Sequence, residues 1–165
     1  MHKFLPLAAA ALMAAVLSGQ TMSPSATADL RARFAKESDP VRRARLIVPL
    51  GDAEFQEIKS EAAAGNYSEA LEMIQQYRDQ VQSCLKGLEA KEPDPEKHPS
   101  GFKQLQISLR ASVRRVDDIL LGLAGDEQKP FLELRRELDQ LDHHLIQELF
   151  PRQPSTESVP PKPKS

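Results

Sequence analysis

"FKQLQISLRASVRRVDDILLGLAGDEQKPFLELRRELDQLDHHLIQELF", residues 102–150, decides the fold. Phe102, Leu105, Leu109, Val113, Val116, Leu120 and Leu123 recur every three or four positions. After Gly125 and Asp126 the spacing resumes with Phe131, Leu134, Leu138, Leu141, Leu145 and Leu149. An α-helix turns once in about 3.6 residues, so each set lies on one helical face. A short connection between two long helices makes them antiparallel neighbours. Their narrow, leucine-rich stripes predict coiled-coil-like packing at about +20°. Pro130 falls within the first turn of the second helix, where its missing N–H is tolerated.

Working toward the N-terminus, the spacing predicts another helix over 67–88, with Leu71, Ile74, Tyr77, Val81, Leu85 and Leu88 as its stripe. The segment "KEPDPEKHPS" holds three prolines and mixed charges, and reads as a linker over about 90–100. Further upstream, Asp39 is a candidate N-cap with Pro40 at the first helical position, opening a piece that runs to Val48. Pro49 and Gly51 read as an interruption. Asp52 then caps a second piece that ends near Ala64, before the turn residues Gly65 and Asn66. No run of β-branched residues alternates with period two. The expected fold is all-α: an up-and-down bundle of about four long helices with a broken first helix, over residues 29–150.

The two ends read differently. From Phe4 to Leu17 the chain is apolar apart from Pro6, behind the weakly basic His2–Lys3. That run fits a signal-peptide core and is shorter than the roughly 20 residues needed to span a bilayer. Ala26–Thr27–Ala28 then offers a small-x-small cleavage site, defining 1–28 as a signal peptide, with an uncleaved anchor as the alternative. Leu17–Ser18–Gly19 resembles the opening of a bacterial lipoprotein box, but Gln20 stands where the lipid-bearing cysteine belongs, so no lipoprotein is expected. The expected address is outside the inner membrane, periplasmic or secreted, with no stable span after cleavage. The tail from Pro151 to Ser165 has five prolines in 15 residues and no apolar period, and should be disordered.

Cleavage would leave about 137 residues, one domain, and move the net charge from −2 to −3 by removing Lys3. This mild balance argues against nucleic acid as a partner. Charge is segregated along the chain. Residues 29–48 carry six basic against three acidic side chains, and 52–97 carry eleven acidic against five basic. Complementary pairing between helices accounts for this pattern. Alternatively, Arg110, Arg114 and Arg115 form a basic contact patch for an acidic partner or lipid headgroups.

One stretch offers metal-ligating chemistry. Asp139 and His143 are four apart and share a helix face, as do His144 and Glu148. Imidazole with carboxylate suits zinc and similar ions. The two pairs, however, point about 100° apart around a helix, so one ion would need ligands from elsewhere. HExxH and paired ExxH patterns are absent. Cys84, the lone cysteine, falls among apolar residues. It reads as a core residue, or alternatively as an intermolecular disulfide or redox thiol. No GxSxG elbow, glycine-rich phosphate loop or histidine-flagged nucleophile occurs. Neither enzymatic activity nor a cofactor is expected.

"AAAGNYSEALEMI" resembles the turn inside a tetratricopeptide repeat through Gly65, Asn66, Tyr67, Glu69, Ala70 and Leu71. The resemblance covers one helical hairpin, about 53–88, and no second copy follows. It implies a helical surface that binds a peptide or protein. Together these features predict an exported, non-enzymatic protein–protein interaction module of unknown partner, with self-association open to the leucine seams. The alternative is a periplasmic metal- or stress-responsive binding protein using the residues around His143 and His144.

Overall fold

A computed structural model describes residues 24–151 of the chain. The apolar core of the expected signal peptide, and the tail after Pro151, lie outside the described residues. Within them, 84% of residues are helical and none is in a strand. The helices are α1 (Pro24–Lys36), α2 (Pro40–Ala63), α3 (Tyr67–Lys91), α4 (Ser100–Leu120), a 3-10 turn over Gly125–Glu127, and α5 (Gln128–Leu149).

The predicted stripes form the core. Phe102, Leu105, Leu109 and Val116 of α4 are fully buried, as are Phe131, Leu138 and Leu145 of α5. From α3, Ile74, Tyr77, Val81 and Leu88 join them, and α2 adds Ile47, Leu50 and Ile58. Leu71, Leu120 and Leu141 are only partly buried and pack at the margin. Burial of each large side chain contributes about 1.5–3 kcal/mol, so this shared interior supplies the main force holding the helices together.

Directions follow from the contacts. Lys91 at the end of α3 binds Asp39 at the start of α2, while Gln80 binds Glu54 farther along, so α2 and α3 are antiparallel. Arg135 pairs with Asp117, and Gln106 with Asp142, which makes α4 and α5 antiparallel as predicted. By contrast α2 and α4 run parallel, since Arg45 meets Ser100 and Asp52 meets Arg115. Helix α2 therefore sits between α3 and α4 instead of touching α3 alone. The chain over 92–99 carries α4 past α3 to reach that position.

The first helix is not broken. Residues Pro40–Ala63 form one helix with Pro49 inside it. Asp39 does cap it, its side chain accepting from the Arg42 amide. The Lys91 ammonium, and then that amide, hold the Asp39 carboxyl down at about 2. Gly51, read as a helix breaker, is a packing residue: a Cβ there would lie 2.8 Å from Cε2 of Tyr77. Asp52, read as a cap, lies inside the helix and pairs with Arg115. Burial of Ile47, Leu50, Phe55 and Ile58 on both sides of Pro49 outweighs its local cost, roughly 3 kcal/mol in a helix interior.

Helix α1 was not expected. Phe34 is buried, Leu30 is partly buried and Arg31 reaches both Glu54 and Glu57 of α2. Ala26, Thr27 and Ala28, the expected cleavage site, lie near the start of this helix with Thr27 buried. At the next turn, Gly65 has φ of 84°, the left-handed conformation that glycine adopts without strain. Asn66 fixes the turn, its amide side chain donating to Glu61.

Candidate interaction surface

The histidines of α5 face different neighbours. His143 Nδ1 lies 2.8 Å from the backbone oxygen of Asp139 and 3.7 Å from its carboxylate. His144 turns toward α3, where its Nε2 is 3.2 Å from Glu89. Glu148 lines a shallow depression with Pro93, Asp94 and Glu96 of the linker. The four candidate ligands are thus not brought together. Among the described residues, no group of three or more histidine, cysteine, aspartate or glutamate side chains is placed to hold a metal ion.

The three arginines of α4 also separate. Arg115 points to α2, pairing with Asp52 and lying 5.6 Å from the centroid of the Phe55 ring. Arg110 points to α5, 3.6 Å from Asp142. Arg114 is exposed and makes no ion pair among the described residues. Positions 103, 107, 110 and 114 follow helical spacing, so Lys103, Ile107, Arg110 and Arg114 form one outward stripe. Ile107 is 53% exposed within it, and Leu121 at the end of α4 is 87% exposed. Sequence reasoning included Arg115, which the fold uses internally, and missed Ile107. The available signal was that Ile107 falls off the Phe102–Leu105–Leu109 stripe.

The interior holds polar groups that are structural in arrangement. Tyr77 and Ser108 share a hydrogen bond of 2.7 Å between α3 and α4, and Ser112 donates to the Ser108 backbone oxygen at 2.8 Å. Burial pushes the Tyr77 phenol up to about 12. Cys84 is buried and burial pushes its thiol up to about 11, with Arg43 of α2 opposing. A thiol held protonated in this way is a poor nucleophile at neutral pH. Glu54 is buried beneath α1, accepting from Arg31 at 2.9 Å and from Gln80 at 3.2 Å. This buried carboxylate is not legible in the sequence, because its partners come from two other helices.

Three concavities are notable. One of about 260 Å³ lies between the ends of α2 and α4 and the start of α3, bordered by Lys59, Tyr67, Asp118 and Leu123. A second, of about 480 Å³, runs along the end of α5 past His143, Ile146 and Phe150. The third, of about 400 Å³, lies where α1 turns into α2. Among the described residues, no helix is long and apolar enough to cross a membrane. Comparison with protein families, with curated proteins and with solved structures finds no match for this chain.

Proposed function

We propose that this chain is an exported, non-enzymatic interaction module in which α2–α5 act as an up-and-down bundle presenting the outer stripe of α4 to a protein partner. The observation that carries this reading is the stripe itself. Ile107 and Leu121 expose large apolar side chains beside Lys103, Arg110 and Arg114, none of which is needed to close the core. Isolated exposed apolar residues are ordinary, but apolar side chains set among cations on one helix face, of which Lys103 and Arg114 make no ion pair among the described residues, suit an amphipathic, acidic partner. Export rests on the apolar segment Phe4–Leu17 and the small residues Ala26 and Ala28. The resemblance of residues 53–88 to a tetratricopeptide hairpin favours a peptide- or protein-binding role in the same way.

The test is crosslinking and affinity capture from the native envelope, comparing the natural chain with Ile107→Glu combined with Arg114→Glu. Both positions are exposed, so the fold should persist. A partner captured by the natural chain should be lost at least tenfold with the double variant. Equal capture by both would overturn the assignment of this face.

A further inference from the structure

The cleft of about 400 Å³ between the last turn of α1 and the first turns of α2 is bordered by Arg33, Lys36, Glu37, Arg42, Arg45 and Leu46. Two carboxylates stand near it, and both are neutralised within the fold. Glu37 pairs with Arg42 at 3.2 Å and accepts from the Asp39 amide at 2.9 Å. Asp39 is held by Lys91 and by the Arg42 amide. Arg33, Lys36 and Arg45 have no carboxylate partner among the described residues, although Arg45 donates to Ser100 at 3.3 Å. Three cations therefore face one concavity without compensation.

The walls are fixed. Phe34 is buried on the inner side of α1, with the Arg43 guanidinium 4.5 Å from its ring centroid. The contacts of Glu37 and Asp39 set the tight turn between the helices. The helix termini that meet there oppose one another: the start of α2 favours an anion and the end of α1 disfavours it. The side chains consequently decide the sign of the cleft. Guanidinium groups present forked N–H donors that match phosphate oxygens, and a dianion offsets more of the excess charge than a lone carboxylate.

We infer that the α1–α2 cleft binds a phosphate monoester group through Arg33, Lys36 and Arg45. The group can come from a soluble phosphate or from an anionic lipid headgroup. The cleft is separate from the α4 stripe, so its test does not depend on that reading.

The experiment uses the full chain with two probes. Inorganic phosphate is titrated while the backbone amides are followed by NMR. In parallel, sedimentation is measured with phosphatidylcholine vesicles with and without phosphatidic acid, in the presence and absence of competing phosphate. Expected is a saturable shift centred on residues 33–46, weakened at least tenfold by Arg33→Ala with Lys36→Ala, whose exposed side chains carry no ion pair among the described residues. A control triple, Lys59→Ala, Lys86→Ala and Arg136→Ala, should leave binding within twofold. Vesicle binding that requires phosphatidic acid and yields to phosphate identifies the lipid source; phosphate binding alone identifies the soluble one. Absence of binding to both probes overturns the inference. So does equal weakening by the control triple, which would show a general charge effect.

Discussion

Gly51 lies where the Tyr77 ring comes closest to α2, and the two residues show how tightly the interior is set. A methyl group at Gly51 would press on Cε2 of a ring that is fully buried and tied to Ser108. Gly51→Ala is therefore expected to destabilise by about 1–3 kcal/mol, the usual range for overpacking. Gly87 also lies inside a helix, but an added Cβ would meet only Pro40, at 3.5 Å. Gly87→Ala should instead stabilise by about 0.5–1 kcal/mol through helix propensity. Urea denaturation of the two variants compares them, and destabilisation of equal size would contradict this account. Tyr77 itself predicts a pH dependence. Its phenol ionises at about 10 when unfolded and at about 12 when buried. The unfolded chain loses its proton first, so stability present below about pH 10 is lost as pH rises toward about 12. Cys84, raised from 9.0 to about 11, acts in the same direction at slightly lower pH. Tyr77→Phe should flatten the upper part of this decline and cost about 0.5–1.5 kcal/mol at neutral pH through the lost hydrogen bond. Unfolding midpoints measured across alkaline pH would refute this if the two proteins gave parallel curves.

Among the elements, α2 departs most from local expectation. Pro49 and Gly51 carry breaker signals, and both are real: Pro49 cannot donate to the Arg45 carbonyl, and glycine lowers helix propensity. The helix continues because Ile47 and Leu50 are fully buried on either side of the proline, in a helix packed against both α3 and α4. Pro49 is exposed, so Pro49→Ala should restore a backbone hydrogen bond without crowding and stabilise by about 1–3 kcal/mol. A calorimetric melting temperature unchanged or lowered by this substitution would show that the helix is adapted to the proline. Helices α4 and α5 behaved as their spacing required, since their stripes meet no opposing signal. The metal and arginine candidates were read from the same helical spacing. It placed Asp139 beside His143, but could not foresee His144 turning to Glu89 or Arg115 turning to Asp52.

For the whole molecule, α1 is held chiefly by α2. Arg31 joins the buried Glu54 to Glu57, and Phe34 closes the other end. Arg31→Ala would leave Glu54 buried with only Gln80 as partner and should cost roughly 1–3 kcal/mol. Amide hydrogen exchange should quicken in α1 while protection in α4 and α5 is retained; uniform loss of protection would show that α1 is integral to the remaining fold. The expected cut after Ala28 bears on the same element, because it would remove the buried Thr27 and the first turn of α1. What the sequence determined by itself is the placement of α3, α4 and α5 and most of their inward side chains, because helical periodicity is a property of residues three and four apart. The tertiary structure decided that α2 is continuous, that it lies between α3 and α4, and which cations are paired and which left open. Those outcomes depend on residues such as Gly51 and Tyr77, or Arg31 and Glu54, that are distant in the chain and meet only once the helices pack.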